Sequence, residues 1–260
     1  SLGKAHTDIS YETYLIKKYD VENAIFNFLR FHDDKTIIIF CSTRSSVTHI
    51  SSRILNRGFS VVSLSGALNQ SERFKALQSI KNGRCKICVA TDVAARGIDL
   101  VNLDIVIHAE LPQNSEILIH RSGRTGRAGN KGRSILFCSP GERRRYERLV
   151  NSAKVRPVIN KFLSQEEIER KDNEKIIDYL SKSQKKSPSE LKLANELLTQ
   201  FSSEDIAVAL IENFKGKLPP IEEVESFSEE KVNLMKSDRK KKKRGEKRNR
   251  GSFSKKKQRS

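Results

Sequence analysis

The sequence predicts an α/β protein, a parallel sheet with helices on both faces, followed by a small helical extension and a disordered basic tail. Two observations carry this. Over the first 153 residues six short strand-type runs alternate with amphipathic helical stretches, as βαβ units do. Past Ala153 the pattern is helical only, and from Lys236 onward it is charge with almost nothing to bury.

Strands are expected at Ser10 to Ile16, Thr36 to Phe40, Ser60 to Leu64, Lys86 to Ala90, Ile105 to Ala109 and Arg133 to Phe137. Between them, Val21 to Arg30 places Ile25, Phe26 and Leu29 on one side, with Asp20 positioned as its cap. Ser45 to Arg57 carries Val47, Ile50 and Ile54 at helical spacing, and Ser71 to Asn82 carries Phe74, Leu77 and Ile80. In such a sheet ligands bind at the C-terminal ends of the strands, where Ser42 to Arg44, Ser65 to Gly66 and Thr91 to Gly97 fall. The extension reads as three helices, Gln165 to Leu180, Pro188 to Phe201 and Ser203 to Phe214, with Lys182 to Ser187 as a polar link. Ser164 and Glu167 form a capping box, Ser203 is the expected cap of the last helix, and Ile206, Ala207, Leu210 and Ile211 form its apolar stripe. Pro219 and Pro220 end the unit. The expected division is therefore 1–153, 154–235 and 236–260.

Bulk composition narrows the class. The 260 residues carry a net charge of +18, and fourteen Lys/Arg against Asp238 and Glu246 put +12 of it in the last 25 residues. Such a tail is too polar to fold alone, and its natural partner is a nucleic-acid backbone held by counterion release; a merely solubilising tail is the plain alternative. No apolar run approaches the roughly 18 residues of a membrane span, and a soluble, cytoplasmic protein with no membrane partner is expected. Cys41, Cys85, Cys88 and Cys138 lie in or beside strand-like runs; Cys85 and Cys88 have zinc-like spacing, but no second pair completes a site, so buried reduced thiols are expected and no metal is implied.

The chemistry concentrates in two clusters. His120 to Gly129 reads HRSGRTGRAG, with four Arg or His side chains and three glycines. Arginine offers a planar fork of donors that is always charged, and glycine lets the backbone approach where a Cβ would clash, so the segment suits an anionic, phosphate-like ligand. Ala90 to Asp99 reads ATDVAARGID and follows a strand, which suggests one shared cleft.

With IIIFCSTRSSV at Ile37 to Val47 and LSGALNQSER at Leu64 to Arg73, these clusters form four ordered motifs. The chain resembles, over roughly residues 5 to 153, the second RecA-like domain of DEAD-box RNA helicases, nearest the bacterial cold-shock and ribosome-assembly members. Ser42 and Ser122 depart from the family's frequent Asn and Ile. The resemblance implies a RecA-like fold and, in the full protein, RNA-stimulated ATP hydrolysis that drives local duplex unwinding. It implies that Arg124 and Arg127 are arginine fingers, that His120 and Arg121 link the nucleotide site to the closed interface, and that Gly97 and Asp99 meet the nucleotide's ribose and phosphates. RNA contact is implied for Thr43, Arg44, Gly66, Gln70, Arg73 and Thr91, gripping backbone without reading bases.

A phosphate-cradling G-x-x-x-x-G-K-[ST] loop does not occur, since Gly3-Lys4 and Gly216-Lys217 are followed by Ala5 and Leu218, and there is no Asp-Glu-Ala-Asp run. ATP with Mg2+ is therefore expected mainly on an N-terminal RecA-like domain of the same protein, and the chain is expected to be its C-terminal part, inactive alone. Plainer readings stand beside these: arginines paired with carboxylates on a solvated loop, Asp99 capping a turn, Gln70 and Arg73 merely opening a helix. The extension reads first as an accessory packing unit and second as a homodimer surface. The competing class is a non-catalytic RNA-binding or RNA-chaperone protein on the same scaffold.

Overall fold

The computed structural model describes residues 8–66, 68–96, 103–126, 129–182, 187–228 and 230. Among these, seven strands form one sheet, β1 (Ile9–Leu15), β2 (Ile37–Cys41), β3 (Val61–Leu64), β4 (Ile87–Thr91), β5 (Ile105–His108), β6 (Gly132–Cys138) and β7 (Val158–Asn160), in the order β3-β4-β2-β5-β6-β1-β7 and parallel throughout. This is the parallel α/β sheet that the alternation predicts, and it agrees with the RecA-like fold that the resemblance implies. The central strands β2, β4 and β5 are buried at every residue, which is why they read as unbroken apolar runs.

Helices α1 (Val21–Phe31) and α2 (Arg44–Asn56) cover one face, their Phe26, Phe28, Val47 and Ile54 packing on Ile37, Ile39, Val89 and Ile107. On the other face lie α3 (Gln70–Lys81) and the short α4 (Asp92–Ala95), over Ile38, Phe40 and Cys88. Beside them, α5 (Ser115–Ser122) and α6 (Arg143–Ala153) cover Tyr11, Leu15 and Leu136. The sequence reading omits α4, α5, α6 and β7. For α6 the signal was present in Tyr146, Leu149, Val150 and Ala153 at i, i+3, i+4 and i+7, masked by a first turn made of arginines. The four cysteines are buried and form no disulfide, and burial pushes the Cys41 thiol up to about 12.

Two expected caps are corrected. Asp20 does precede α1, but its side chain makes no cap bond; Oδ2 accepts instead from the Glu225 amide at 3.0 Å. The cap of the last helix, α9 (Ser203–Lys215), is Ser202, which accepts from the Asp205 amide in a full capping box, while Ser203 is the first helical residue. The Ser164–Glu167 box forms at the start of α7 (Gln165–Lys182).

Residues beyond Ala153 return to the sheet. β7 pairs with β1, and α7 packs on α1 through the Arg30–Asp172 ion pair at 2.8 Å. After α8 (Pro188–Gln200) and α9, residues 221–227 form a strap across the C-terminal end of β1. Asn27 and Glu222 exchange two hydrogen bonds of 2.8 and 2.9 Å, Arg57 pairs with Glu222, Lys17 pairs with Glu225, and the Phe227 amide donates to Leu15 at 2.8 Å. Phe227 is buried among Leu15, Tyr146 and Leu149. The expected disordered tail, 236–260, lies outside the described residues.

At the opposite end of the strands Arg133 forms a two-pronged pair with Glu12 (2.7 and 2.9 Å), and its Nη1 donates to His32 Nε2 at 3.3 Å. Burial, and then the Arg133 charge, push the His32 imidazole down to about 4. The unfolded chain therefore binds more protons than the folded one below about pH 6.5, and the stability this contributes is lost as pH falls toward 4. Thermal midpoints measured across that range should fall with pH. His32→Gln should flatten the fall without removing it, because burial also holds the His108 imidazole well below its ordinary value. Phe227→Ala should cost about 3 kcal/mol, read as a lower urea midpoint at constant slope, because it empties the anchor of the strap.

Candidate nucleotide and nucleic-acid site

The C-terminal ends of β2, β3 and β4 form a rim, and the residues expected there are brought to it. Thr43 is the extended N-cap of α2, and its Oγ1 accepts from the Ser46 amide at 3.0 Å. Arg44 opens the helix, exposed, with its guanidinium laid over Gly66, where a Cβ would come within 2.8 Å of Nη2. A Cβ at Gly66 would make that exposed guanidinium shift, a small cost for the far end of a flexible side chain. Gln70 is the exposed first residue of α3, whose cap is the Asn69–Glu72 box. Arg73 acts as a tie between α3 and the segment after β4, its Nη2 donating to the carbonyls of Ala94 and Arg96 at 2.8 and 3.1 Å. Thr91 caps α4, buried, accepting from the Ala94 amide at 3.4 Å.

Asp92, next in the chain, joins this rim to the arginine cluster. Its two oxygens accept from Arg121 Nε and Nη2, each at 2.7 Å. The Arg121 side chain is 3% exposed and its guanidinium carbon lies 5.3 Å from the centre of the Phe40 ring. Its Nη1 is buried with no partner among the described residues, a donor left over inside a low-dielectric wall. Here the sequence reading is corrected: His120, Arg121 and Ser122 form the last turn of α5, capped at its start by Asn114, and only Gly123 onward is loop. His120 stays on the exposed side of that turn.

The loop is fixed by Thr125, which the sequence reading did not single out, and by Gly126, one of the glycines that it read as serving a ligand's approach. Thr125 Oγ1 donates to the Leu103 and Asp104 carbonyls at 2.5 and 3.0 Å. Gly126 has φ of +66° and touches the start of β1, where a Cβ would meet Ile9 at 2.7 Å. Under the turn runs a buried chain of hydroxyls. Ser122 donates to the Leu118 carbonyl at 2.7 Å, so Ser134 must donate to Ser122 (2.9 Å), and His108 Nε2–H must donate to Ser134 (3.1 Å). The Ser at 122 therefore has a partner waiting on β6.

These constraints gather Phe40, Asp92, Arg96, His120, Arg121 and Arg124 around an open bowl of about 170 Å3. Asp92 is already committed to Arg121, and Glu116 is the other carboxylate of the lining, against Arg96, Arg121, Arg124 and His120; the balance of donors suits an oxyanion. Gly97, Asp99 and Arg127 lie outside the described residues.

Comparison with known proteins agrees with this geometry. Residues 20–129 match the family model of the helicase conserved C-terminal domain. The chain is 41% identical over 122 residues to the ATP-dependent RNA helicase DeaD of Buchnera aphidicola, an alignment covering 47% of this chain and 20% of that protein, so it spans about a fifth of that relative's length. Among crystal structures it is similar to the DEAD-box protein SrmB of E. coli (26% identity, TM-score 0.52, covering 63% of this chain and 94% of that one). It is similar also to a DEAD-box protein of Methanococcus jannaschii (31% identity, TM-score 0.54, covering 62% and 43%).

Asp92→Asn should test the clamp directly. Removing the charge that faces a buried guanidinium is expected to cost about 2 kcal/mol in chemical denaturation, below the 3–5 of a fully buried pair because the Asp92 side chain is 35% exposed.

Proposed function

Taking residues 20–129 as a C-terminal RecA-like helicase domain of the DEAD-box type, we propose that the chain is the C-terminal half of an ATP-dependent DEAD-box RNA helicase. The observation that carries this is the bowl: a buried, Asp92-clamped Arg121 with a spare donor, and Arg124 held by a loop anchored through Thr125. Plain RNA binding has no need of a second, separately built cationic pocket beside the rim.

In this reading ATP and Mg2+ are held mainly by an N-terminal RecA-like domain, and this chain supplies cations to the triphosphate. Arg124 and Arg127 are the fingers that neutralise charge developing on the transferred phosphoryl group, Arg121 and His120 couple the pocket to the closed interface, and Gly97 and Asp99 meet the ribose and phosphates. Thr43, Arg44, Gly66, Gln70, Arg73 and Thr91 line the path of a single RNA strand. Arg73 acts there chiefly by holding the segment after β4 in place, since both its carbonyl partners belong to it. Closure on a bent strand separates a duplex locally, and hydrolysis reopens the halves. The division into 1–153, 154–235 and 236–260, a cytoplasmic setting and a role of the cold-shock or ribosome-assembly kind belong to the same proposal.

A second reading has an observation of its own. Leu193, Leu198 and Phe201 on and after α8 and Val208 on α9 are exposed apolar residues, which suits a homodimer through 154–235. The non-catalytic RNA-binding alternative predicts RNA affinity without any nucleotide effect.

The test is RNA-stimulated ATP hydrolysis on mixing this chain with a separately produced first RecA-like domain. The chain alone should be inactive, the mixture active, and Arg124→Ala and Arg127→Ala should each lower turnover by about a thousandfold. Hydrolysis by the chain alone, or no activity on mixing while RNA still binds, would overturn the proposal.

A further inference from the structure

Away from the rim, α6 and the turn that follows it present a strongly basic surface. Arg144, Arg145, Arg148, Lys154 and Arg156 are exposed, and the ion pair on this helix, Arg143 with Glu147, uses none of them. At the start of α6, just after its N-cap Glu142, the placement of Arg144 and Arg145 runs against the helix dipole, whereas Lys154 and Arg156 at its end agree with it. A helix N-terminus carries partial positive charge and favours Asp or Glu, yet α6 opens with three arginines and has no acid in its first turn. Lys154 caps the other end at φ of 54°, a left-handed conformation in which glycine or asparagine is the low-cost residue. Arg143 has a structural return in its pair with Glu147, and Arg145 in the bonds of its Nη2 to the Leu111 and Pro112 carbonyls at 2.8 and 3.2 Å. Exposed Arg144 and left-handed Lys154 break the local rules outright, which points to a ligand.

A groove of about 750 Å3 leads from this surface toward the rim, running from Ser42 and Ser46, on either side of Thr43 and Arg44, past Glu110 to Arg145. Tyr19 stands on its wall, 73% exposed, beside Lys18 and with Lys17 Nζ 5.3 Å from its ring centre. An aromatic face bracketed by cations is a platform on which an unpaired base stacks. Of the groove's three carboxylates, Glu22 meets a cation, Arg53 at 3.5 Å, whereas Glu110 and Glu142, the latter accepting from the neutral Ser139 hydroxyl, keep their charge and are the two a phosphate must pass. Beneath α6 the strap reaches buried Phe227, packed with Tyr146 and Leu149 of that helix, and in the sequence Lys236 is eight residues beyond Ser228.

We propose that this groove and the outer face of α6 form a second site for the backbone of single-stranded RNA, continuing the strand held at the rim and delivering it to the basic tail. The proposal rests on the RNA-binding reading above. It assigns phosphate contacts to Arg144, Arg145, Arg148 and Lys154, and base stacking to Tyr19.

Fluorescence anisotropy of the full chain with a labelled oligouridylate of about 20 nucleotides tests it. The doubly substituted Arg144→Glu/Arg148→Glu chain should bind about tenfold or more weakly, with a salt dependence shallower by about 1.4, since each single-strand phosphate no longer neutralised takes about 0.7 from the slope. Lys154→Gly should weaken binding about two- to threefold, and Tyr19→Ala should weaken it while leaving the salt slope unchanged. Melting temperatures should hold or rise for Arg144→Glu and Lys154→Gly, since the first suits the helix dipole and the second relieves the left-handed residue. Lys81→Glu, at the far end of α3, controls for net charge and should change little. Wild-type affinity and slope in the α6 variants, with Arg44→Ala still weakening binding, would overturn the second site and leave the RNA reading intact. Melting temperatures that fall in step with affinity would also overturn it, and a wild-type chain that binds no RNA at low salt would sink both.

Discussion

Everything in this molecule follows from burying a parallel sheet on both faces. Parallel strands need crossover connections, the crossovers are helices, and helices laid on both faces leave the strand ends as the place where loops can meet. In this chain the ends of β2, β3 and β4 carry Thr43, Arg44, Gly66 and Thr91 to one rim although they are far apart in sequence. The same constraint leaves the interiors of the core strands no room for recognition chemistry: their side chains are consumed on both sides, and at the end of β4 Thr91 is the residue that reaches the rim.

The Asp92–Arg121 pair turns that arrangement into a site. A buried guanidinium is tolerated only when its charge is met at short range, and Asp92 meets it from the residue directly after β4. Helix α5 is thereby locked to the end of the neighbouring strand layer, and the hydroxyl chain from His108 through Ser134 to Ser122 fixes the same turn from below. Two independent devices position one turn of helix, so the cations that follow it are presented by a rigid support rather than by a free loop.

Much of this was legible in the sequence. The six strands read from alternation agree with the structure to within a residue or so, and α1, α2, α3 and the three distal helices were visible in their apolar spacing. The two motif clusters pointed to one cleft, and the structure brings His120, Arg121 and Arg124 to it. What escaped has physical reasons. α5 is eight residues long, too short for periodicity to declare itself, and its polar last turn reads as loop. Asp20 looks like a cap until the strap, two hundred residues later, takes its carboxylate. Partners so distant in sequence leave no local trace. Thr125 and Gly126 were likewise read as part of a phosphate loop, whereas their contacts serve to seat that loop on β1 and the start of β5.

The strap also changes what kind of object the helical extension is. With α7 fixed to α1 at one end and residues 221–227 fixed to β1 at the other, α8 and α9 form a closed loop tied to the core at both ends. The entropy of closing such a loop grows only with the logarithm of its length. Helices in this stretch are therefore open to lengthening, shortening or exchange at small thermodynamic cost, and the fold reserves a place where sequence is free to drift while the sheet, the rim and the clamp stay as they are.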